Sequence, residues 1–199
     1  MKIGILISGR GSNMLAIAEA AKVGLIENCE ISVVISDKAD ASGLKKAKII
    51  GLKTVVIERN GRKREDHDAE IINELKKYSV DFVCLAGYMR LLSAEFVSTF
   101  QNQIINIHPS LLPSFPGLDA QQQAFEYGVH LSGCTVHFVD EQLDHGAIIS
   151  QKSVRIEVDD TLQCLSEKIL HEEHKLYVET LNKLSTKKFE IKGRKITFK

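Results

Sequence analysis

Short apolar runs of strand length alternate with helical stretches through the first half of the chain, and this alternation restricts the possible folds more than any other feature. Ile3 to Ser8, Ile31 to Ser36, Thr54 to Ile57, Val80 to Ala86 and Gln103 to Ile107 are rich in β-branched residues. Between them lie helix-forming segments at Met14 to Ala21, Ala41 to Ile50, Asp68 to Lys77 and Ser93 to Phe100, with a polar, basic stretch from Glu58 to His67. Strands apolar on both faces are covered on both faces, and parallel strands need a crossover helix between them. The pattern predicts an α/β fold with an open, mostly parallel, doubly wound sheet of Rossmann-like type.

After Pro109 the rhythm changes. Two prolines and a glycine make Ser110 to Leu118 irregular, and Ala120 to Tyr127 is a helix stopped by Gly128. Cys134 to Val139 and Ala147 to Ile156 suit an antiparallel pair joined by an acidic loop, which places an antiparallel strand near the C-terminal end. A long helix over Asp160 to Leu184, capped by Asp160 or Thr161, and a small hairpin around Gly193 complete one expected domain over residues 1–199.

Charge and cysteine usage exclude several roles. The chain carries 26 Lys plus Arg against 26 Asp plus Glu, so no global field recruits nucleic acid or an anionic membrane. The first strand follows Met1 with no leader pattern, and no run approaches the roughly 20 apolar residues of a membrane helix. The expected location is the cytoplasm. Cys29, Cys84, Cys134 and Cys164 form no C-x-x-C pair, and His171 and His174 lack the H-E-x-x-H arrangement, so no metal is expected.

The chemistry concentrates in Ile104 to Pro113. Residues two apart on a strand share a face, so Asn106 and His108 project together from a strand end, and Pro109 forces the chain out of the sheet there. Open α/β sheets bind ligands at such ends. Asn106 can donate an amide proton to a carbonyl oxygen, and His108 can donate to the same oxygen or carry a proton. Asp144, in the acidic loop, is the carboxylate chosen to tune the histidine, since a carboxylate beside an imidazole favours the imidazolium. A second candidate is Gly9-Arg10-Gly11-Ser12-Asn13, a turn between a strand and a helix. Its amides suit a phosphate, with the Ser12 hydroxyl and the Asn13 amide as further donors. A dinucleotide is the rival, with Asp37 placed to meet an adenine ribose, although Met14 stands where that fingerprint has its third glycine.

Four motifs occur in order: Ile-Ser-Gly-Arg-Gly-Ser-Asn over 7–13, Leu-Ala-Gly-Tyr-Met-Arg-Leu-Leu over 85–92, Asn-Ile-His-Pro-Ser-Leu-Leu-Pro over 106–113 and Leu-Asp-His-Gly over 143–146. Together they resemble the phosphoribosylglycinamide formyltransferases, within the wider family of formyltetrahydrofolate-dependent enzymes. The resemblance implies formyl transfer from 10-formyltetrahydrofolate, a cosubstrate, to the amine of a ribonucleotide, with small molecules as the only partners and a monomer or homodimer as the assembly. It implies Asn106, His108 and Asp144 as the catalytic trio. Gly11, Ser12, Asn13 and Glu173 would hold the ribonucleotide. Arg64, Met89, Arg90, Leu91, Leu92, Val139, Asp140, Glu141 and Leu143 would line the folate pocket together with Asn106 and Asp144, the two arginines near the benzoyl-glutamate part. Two positions depart from the family pattern: Asp119, where histidine is common, and His145-Gly146-Ala147, where glycine and proline are common. A formyltetrahydrofolate deformylase or a methionyl-tRNA formyltransferase would be expected to carry a further domain.

Overall fold

β1 (Lys2–Ile7) is buried at every position after Lys2, because it lies inside the sheet between two neighbours with helices over both faces. The computed structural model describes residues 1–199. Around β1 are β2 (Glu30–Ser36), β3 (Thr54–Val56), β4 (Phe82–Leu85), β5 (Ile104–His108), β6 (Leu131–Phe138) and β7 (Ile148–Arg155), in the spatial order β3-β2-β1-β4-β5-β6-β7. β1 to β5 pair in parallel. β6 runs against both β5 and β7, so it is the one reversed strand, as the sequence led us to expect.

Alternation along the strands separates two cores. Ile3, Ile5 and Ile7 face a cluster shared with α1 (Ser12–Lys22), α2 (Ser42–Ile49) and α6 (Leu162–Thr186), whereas Leu6, Val33 and Ile35 face α3 (Arg64–Lys77) and α4 (Ala94–Thr99). Burial on both faces is why these strands read as continuous apolar runs. α5 (Ala120–Tyr127) ends at Gly128 in the left-handed region, φ +80°, and α6 begins at Thr161, whose hydroxyl accepts the Cys164 N–H. β8 (Phe189–Lys192) and β9 (Lys195–Phe198) form the separate closing hairpin.

Two boundaries differ from the sequence reading by three residues or more. α3 begins at Arg64 rather than Asp68, because the polar residues at its start have buried partners: the His67 ring lies 2.7 Å from the Ile57 carbonyl, and Asp68 accepts the Ser93 N–H. Arg64 therefore opens a helix instead of ending a loop. β6 begins at Leu131 rather than Cys134, since Ser132 and Gly133 pair with β7 through their backbones. A Cβ on Gly133 would stand 2.0 Å from the Lys152 carbonyl oxygen, so the absence of a side chain is what admits the pairing. No helix is long and apolar enough to cross a membrane.

The start of α2 packs on the turn after β1 with no side chain between them. Gly43 N–H donates to the Gly9 carbonyl at 3.0 Å, and a Cβ at Gly43 would stand 3.0 Å from both Gly11 Cα and Gly9 O. The substitution Gly43→Ala is expected to destabilise the fold by about 1–3 kcal/mol, the usual cost of overpacking against atoms that cannot retreat. Urea unfolding of the two proteins measures it, and an unchanged midpoint would contradict the contact.

Candidate active site

The site is assembled where β5 ends. Asn106 and His108 share one face of β5, and the register with β6 sets His137 opposite Asn106 and Thr135 opposite His108. Asn106 Nδ2 lies 3.3 Å from His137 Nε2, and His137 Nδ1 lies 2.8 Å from the Phe138 carbonyl. A carbonyl oxygen only accepts, so Nδ1 carries the proton. Burial lowers the His137 pKa below its ordinary value, against the opposing pull of the Phe138 carbonyl and Asp144. The ring is therefore neutral near pH 7, and Nε2 accepts from the Asn106 amide. That bond turns the amide nitrogen toward His137 and leaves its second proton for a ligand.

His108 is held from two sides. Its Nε2 donates to the Phe115 carbonyl at 2.9 Å, and its Nδ1 lies 3.4 Å from Asp144 Oδ2. Asp144 Oδ2 also accepts the Gly117 N–H at 2.8 Å, and Oδ1 lies 3.8 Å from His137 Nε2. The carboxylate thus stands between two imidazoles, with its own backbone in the left-handed region at φ +49°. The loop that supplies Phe115 and Gly117 is tied to β6 and β7. Thr135 Oγ1 donates to the Ser110 carbonyl and accepts the Leu112 N–H, and Gln151 donates to the Leu112 carbonyl.

The loop carrying Asp144 closes on itself. His145 Nδ1 lies 2.8 Å from Asp140 Oδ2, and Asp140 Oδ1 accepts the Gln142 N–H. Gly146 is required after it, because a Cβ there would stand 1.8 Å from the Phe138 carbonyl oxygen. Asp119, the other departure from the expected pattern, is exposed and adopts φ +55° before α5 without capping it.

The glycine turn is built as an amide cradle. Gly11 takes φ +67°, and the first helical bond runs from Leu15 N–H to the Gly11 carbonyl, so the amides of Ser12, Asn13 and Met14 fall outside the helical ladder. One expectation needs correcting. The Asn13 side chain is buried and one of its Nδ2 protons is donated to Glu173 Oε2 at 2.8 Å, so the side chain is turned into the protein instead of standing free at the turn, where the backbone amides and Ser12 remain as donors. Glu173 is itself buried, and desolvation pushes its pKa up to about 7, against the opposing effects of Asn13 and Arg10.

The dinucleotide reading loses its acidic residue. Asp37 is buried and its Oδ2 lies 2.5 Å from Arg90 Nε, which leaves it closed to a ribose. For the same reason Arg90 is less free for a folate tail than expected, with its Nε taken. Arg64 is exposed and lies 3.5 Å from Glu65. Met89, Leu91, Glu141 and Leu143 are exposed, while Leu92, Val139 and Asp140 are half-buried. No group of three or more His, Cys, Asp or Glu is placed to hold a metal ion. His137 is the residue the sequence reading missed. Its signal was present, as a polar residue alternating with Thr135 between the apolar Cys134, Val136 and Phe138.

Comparison with known proteins bears on this geometry. A family model described as formyl transferase matches residues 1–181. Phosphoribosylglycinamide formyltransferase of Escherichia coli K12 is 42% identical over 178 residues, covering 89% of this chain and 84% of that protein. The chain belongs to the formyl transferase family, in its phosphoribosylglycinamide branch. The crystal structure of glycinamide ribonucleotide transformylase 1 from Symbiobacterium toebii superposes with a TM-score of 0.96 at 44% identity, over all of this chain and 93% of that one. The trifunctional purine biosynthetic protein adenosine-3 of Homo sapiens is 45% identical over 177 residues, which is 88% of this chain but 17% of that protein. The chain thus spans less than a fifth of the multifunctional relatives it matches. The formyl transferase match ends inside α6 and leaves the β8–β9 hairpin outside it.

In this formyl transferase the raised pKa of Glu173 carries a pH signature. A carboxyl at about 7 in the fold against 4.5 in the open chain keeps its proton longer when folded. Stability is therefore full below the lower value and declines as pH rises through that window, by about 3 kcal/mol in all. Glu173→Gln keeps an oxygen for the Asn13 amide and cannot ionise. It is expected to gain stability over the parent at pH 8 and to show little difference at pH 4.5. Urea unfolding at both values measures this, and a gain independent of pH would contradict the buried proton.

Proposed function

We propose that this chain transfers a formyl group from 10-formyltetrahydrofolate to the primary amine of 5-phosphoribosylglycinamide, acting as one formyltransferase domain over residues 1–199. The observation that carries the reading is the clamping of His108 between the Phe115 carbonyl and the Asp144 carboxylate, next to the Asn106 amide. Attack of a neutral amine on a formyl carbon produces an oxyanion and a cationic nitrogen together. The site must then supply hydrogen-bond donors to the oxygen and a route for the proton.

Asn106 offers the amide proton that His137 does not use, and His108, whose Nε2 proton is taken by the Phe115 carbonyl, offers a second one from Nδ1 only when it enters the reaction as the imidazolium. Asp144 lies beside that nitrogen and accepts the proton leaving the attacking amine, directly or through a water, for delivery to the departing folate nitrogen. The backbone amides at Gly11, Ser12 and Asn13 receive the 5′-phosphate, and Glu173 bonds the ribose or amide end of the ribonucleotide. The folate lies against Met89 to Leu92 and Val139 to Asp144, with Arg64 and Arg90 toward its benzoyl-glutamate part. The reaction needs no metal and no covalent enzyme intermediate. All four cysteines are unpaired, which suits the reducing cytoplasm where we place it.

His108→Asn and Asp144→Asn are each expected to lower kcat by roughly a hundredfold or more, as for loss of a donor acting mainly in the transition state, with KM much less affected. Absorbance loss of 10-formyltetrahydrofolate in the presence of the ribonucleotide measures this, and undiminished turnover removes the trio. Omitting the ribonucleotide separates transfer from hydrolysis, since loss that persists without it makes the chain a deformylase. Asn13→Leu should instead raise KM for the ribonucleotide by about tenfold, by removing the amide that positions Glu173. A change confined to the folate KM would contradict the phosphate turn.

A further inference from the structure

Arg64 and Arg90 are both paired with carboxylates, but in different surroundings. Arg64 lies 3.5 Å from Glu65 and both side chains are about half exposed, so water takes up the carboxylate when the arginine turns away. Arg90 Nε donates to Asp37 Oδ2 at 2.5 Å, and the Asp37 side chain is only 2% exposed. No other side chain supports Asp37. Its Oδ1 is buried without a partner, and so is the Tyr88 hydroxyl, whose pKa is raised by burial and then by the Asp37 charge. Arg90 therefore cannot leave for a ligand without stranding a buried anion. The Arg90 side chain is nevertheless 32% exposed, and the four remaining N–H groups of its guanidinium find no acceptor in the chain.

Placing the backbone does not require this pair. Ser8 Oγ accepts the Met89 N–H at 3.0 Å, Ser8 N–H donates to the Gly87 carbonyl, and Asp68 accepts the Ser93 N–H at 2.6 Å, so the stretch is fixed on both sides of Arg90. What Asp37 adds is charge, which makes Arg90 half of a neutral pair. We propose that Asp37 is a specificity-determining residue of formyl transfer, cancelling the charge of Arg90 so that the anionic tail of the folate donor is attracted through Arg64 alone. The proposal rests on reading Met89 to Leu92 as the wall of the folate pocket. A carboxylate brought to Arg90 meets N–H donors, yet the Asp37 charge directly behind them offsets their attraction. Donors with and without charge on the tail are thereby accepted more evenly than two free arginines would allow. Replacing Asp37 by its neutral isostere strengthens donor binding, which loss of a merely structural ion pair would not do.

The test uses 10-formyltetrahydrofolate and its diamide, in which both glutamate carboxylates are carboxamides, in the transfer assay with the full chain. Asp37→Asn keeps an oxygen for Arg90 Nε. It is expected to lower the KM for the dicarboxylate about three- to fivefold, the size of an exposed ion pair, with the diamide KM, the ribonucleotide KM and kcat changed less than about twofold. The gain should fade at about 1 M KCl, where the Debye length is about 3 Å, and Arg90→Gln added to Asp37→Asn should abolish it. Asp37→Ser takes the place of the asparagine variant if that one unfolds. A dicarboxylate KM that rises or stays within about 1.5-fold of the parent's, an equal shift for both donors, or a gain that survives salt or Arg90→Gln would each overturn the assignment. If Arg64→Gln and Arg90→Gln each leave the dicarboxylate KM unchanged, the placement of the folate falls, and Asp37 with it. If they raise it while Asp37→Asn does nothing, only the role of Asp37 falls.

Discussion

The register of β5 against β6 is the constraint on which the site depends. Because β6 returns antiparallel along β5, Asn106 meets His137 and His108 meets Thr135. A slip of one residue would bring Val136 to face Asn106 and turn His137 into the apolar core. Each polar residue in that row has a second task. Thr135 anchors the loop whose Phe115 carbonyl fixes His108, and His137 fixes the Asn106 amide. The loop anchored by Thr135 also supplies the Gly117 N–H that holds Asp144. One backbone pairing thus sets the orientation of four side chains.

Buried polar groups in this structure are answered in different ways, and the differences organise its edge. Asp37 is met directly by the Arg90 guanidinium, so charge answers charge in a place where an isolated carboxylate would be costly. Glu173 is met by a neutral amide, which compensates desolvation less, and it retains a proton toward neutral pH. His137 stays neutral because burial outweighs the nearby carboxylate, and neutrality is what makes its Nε2 an acceptor. At the glycine turn the amides of Ser12, Asn13 and Met14 stand outside the helical ladder, and the buried Asn13 side-chain oxygen has no partner. This chain thus presents a row of polar groups on β5 and β6 that answer one another and a turn after β1 whose first amides are left outside the helical ladder.

Much of this was legible in the chain, for reasons of periodicity. The five parallel strands were readable because both their faces are buried, and α5 because Gly128 closes it. The shared face of Asn106 and His108 followed from the two-residue repeat of a strand, and the pairing of Asp144 with His108 agrees with the carboxylate chosen for it. The start of α3 was misread because polar residues in a first turn look like loop until their partners across the fold are known. His137 and the tie between Asp37 and Arg90 were missed because each needs two segments brought together from afar. What the sequence determined by itself was the order of elements and the side chains offered at each strand end, since hydrophobic repeat and local backbone preference act over a few residues. What only the tertiary structure decided was which of those side chains are bonded to one another. The ring nitrogen that carries a proton, or the guanidinium already taken by a carboxylate, depends on hydrogen bonds between residues tens of positions apart, which no local pattern records.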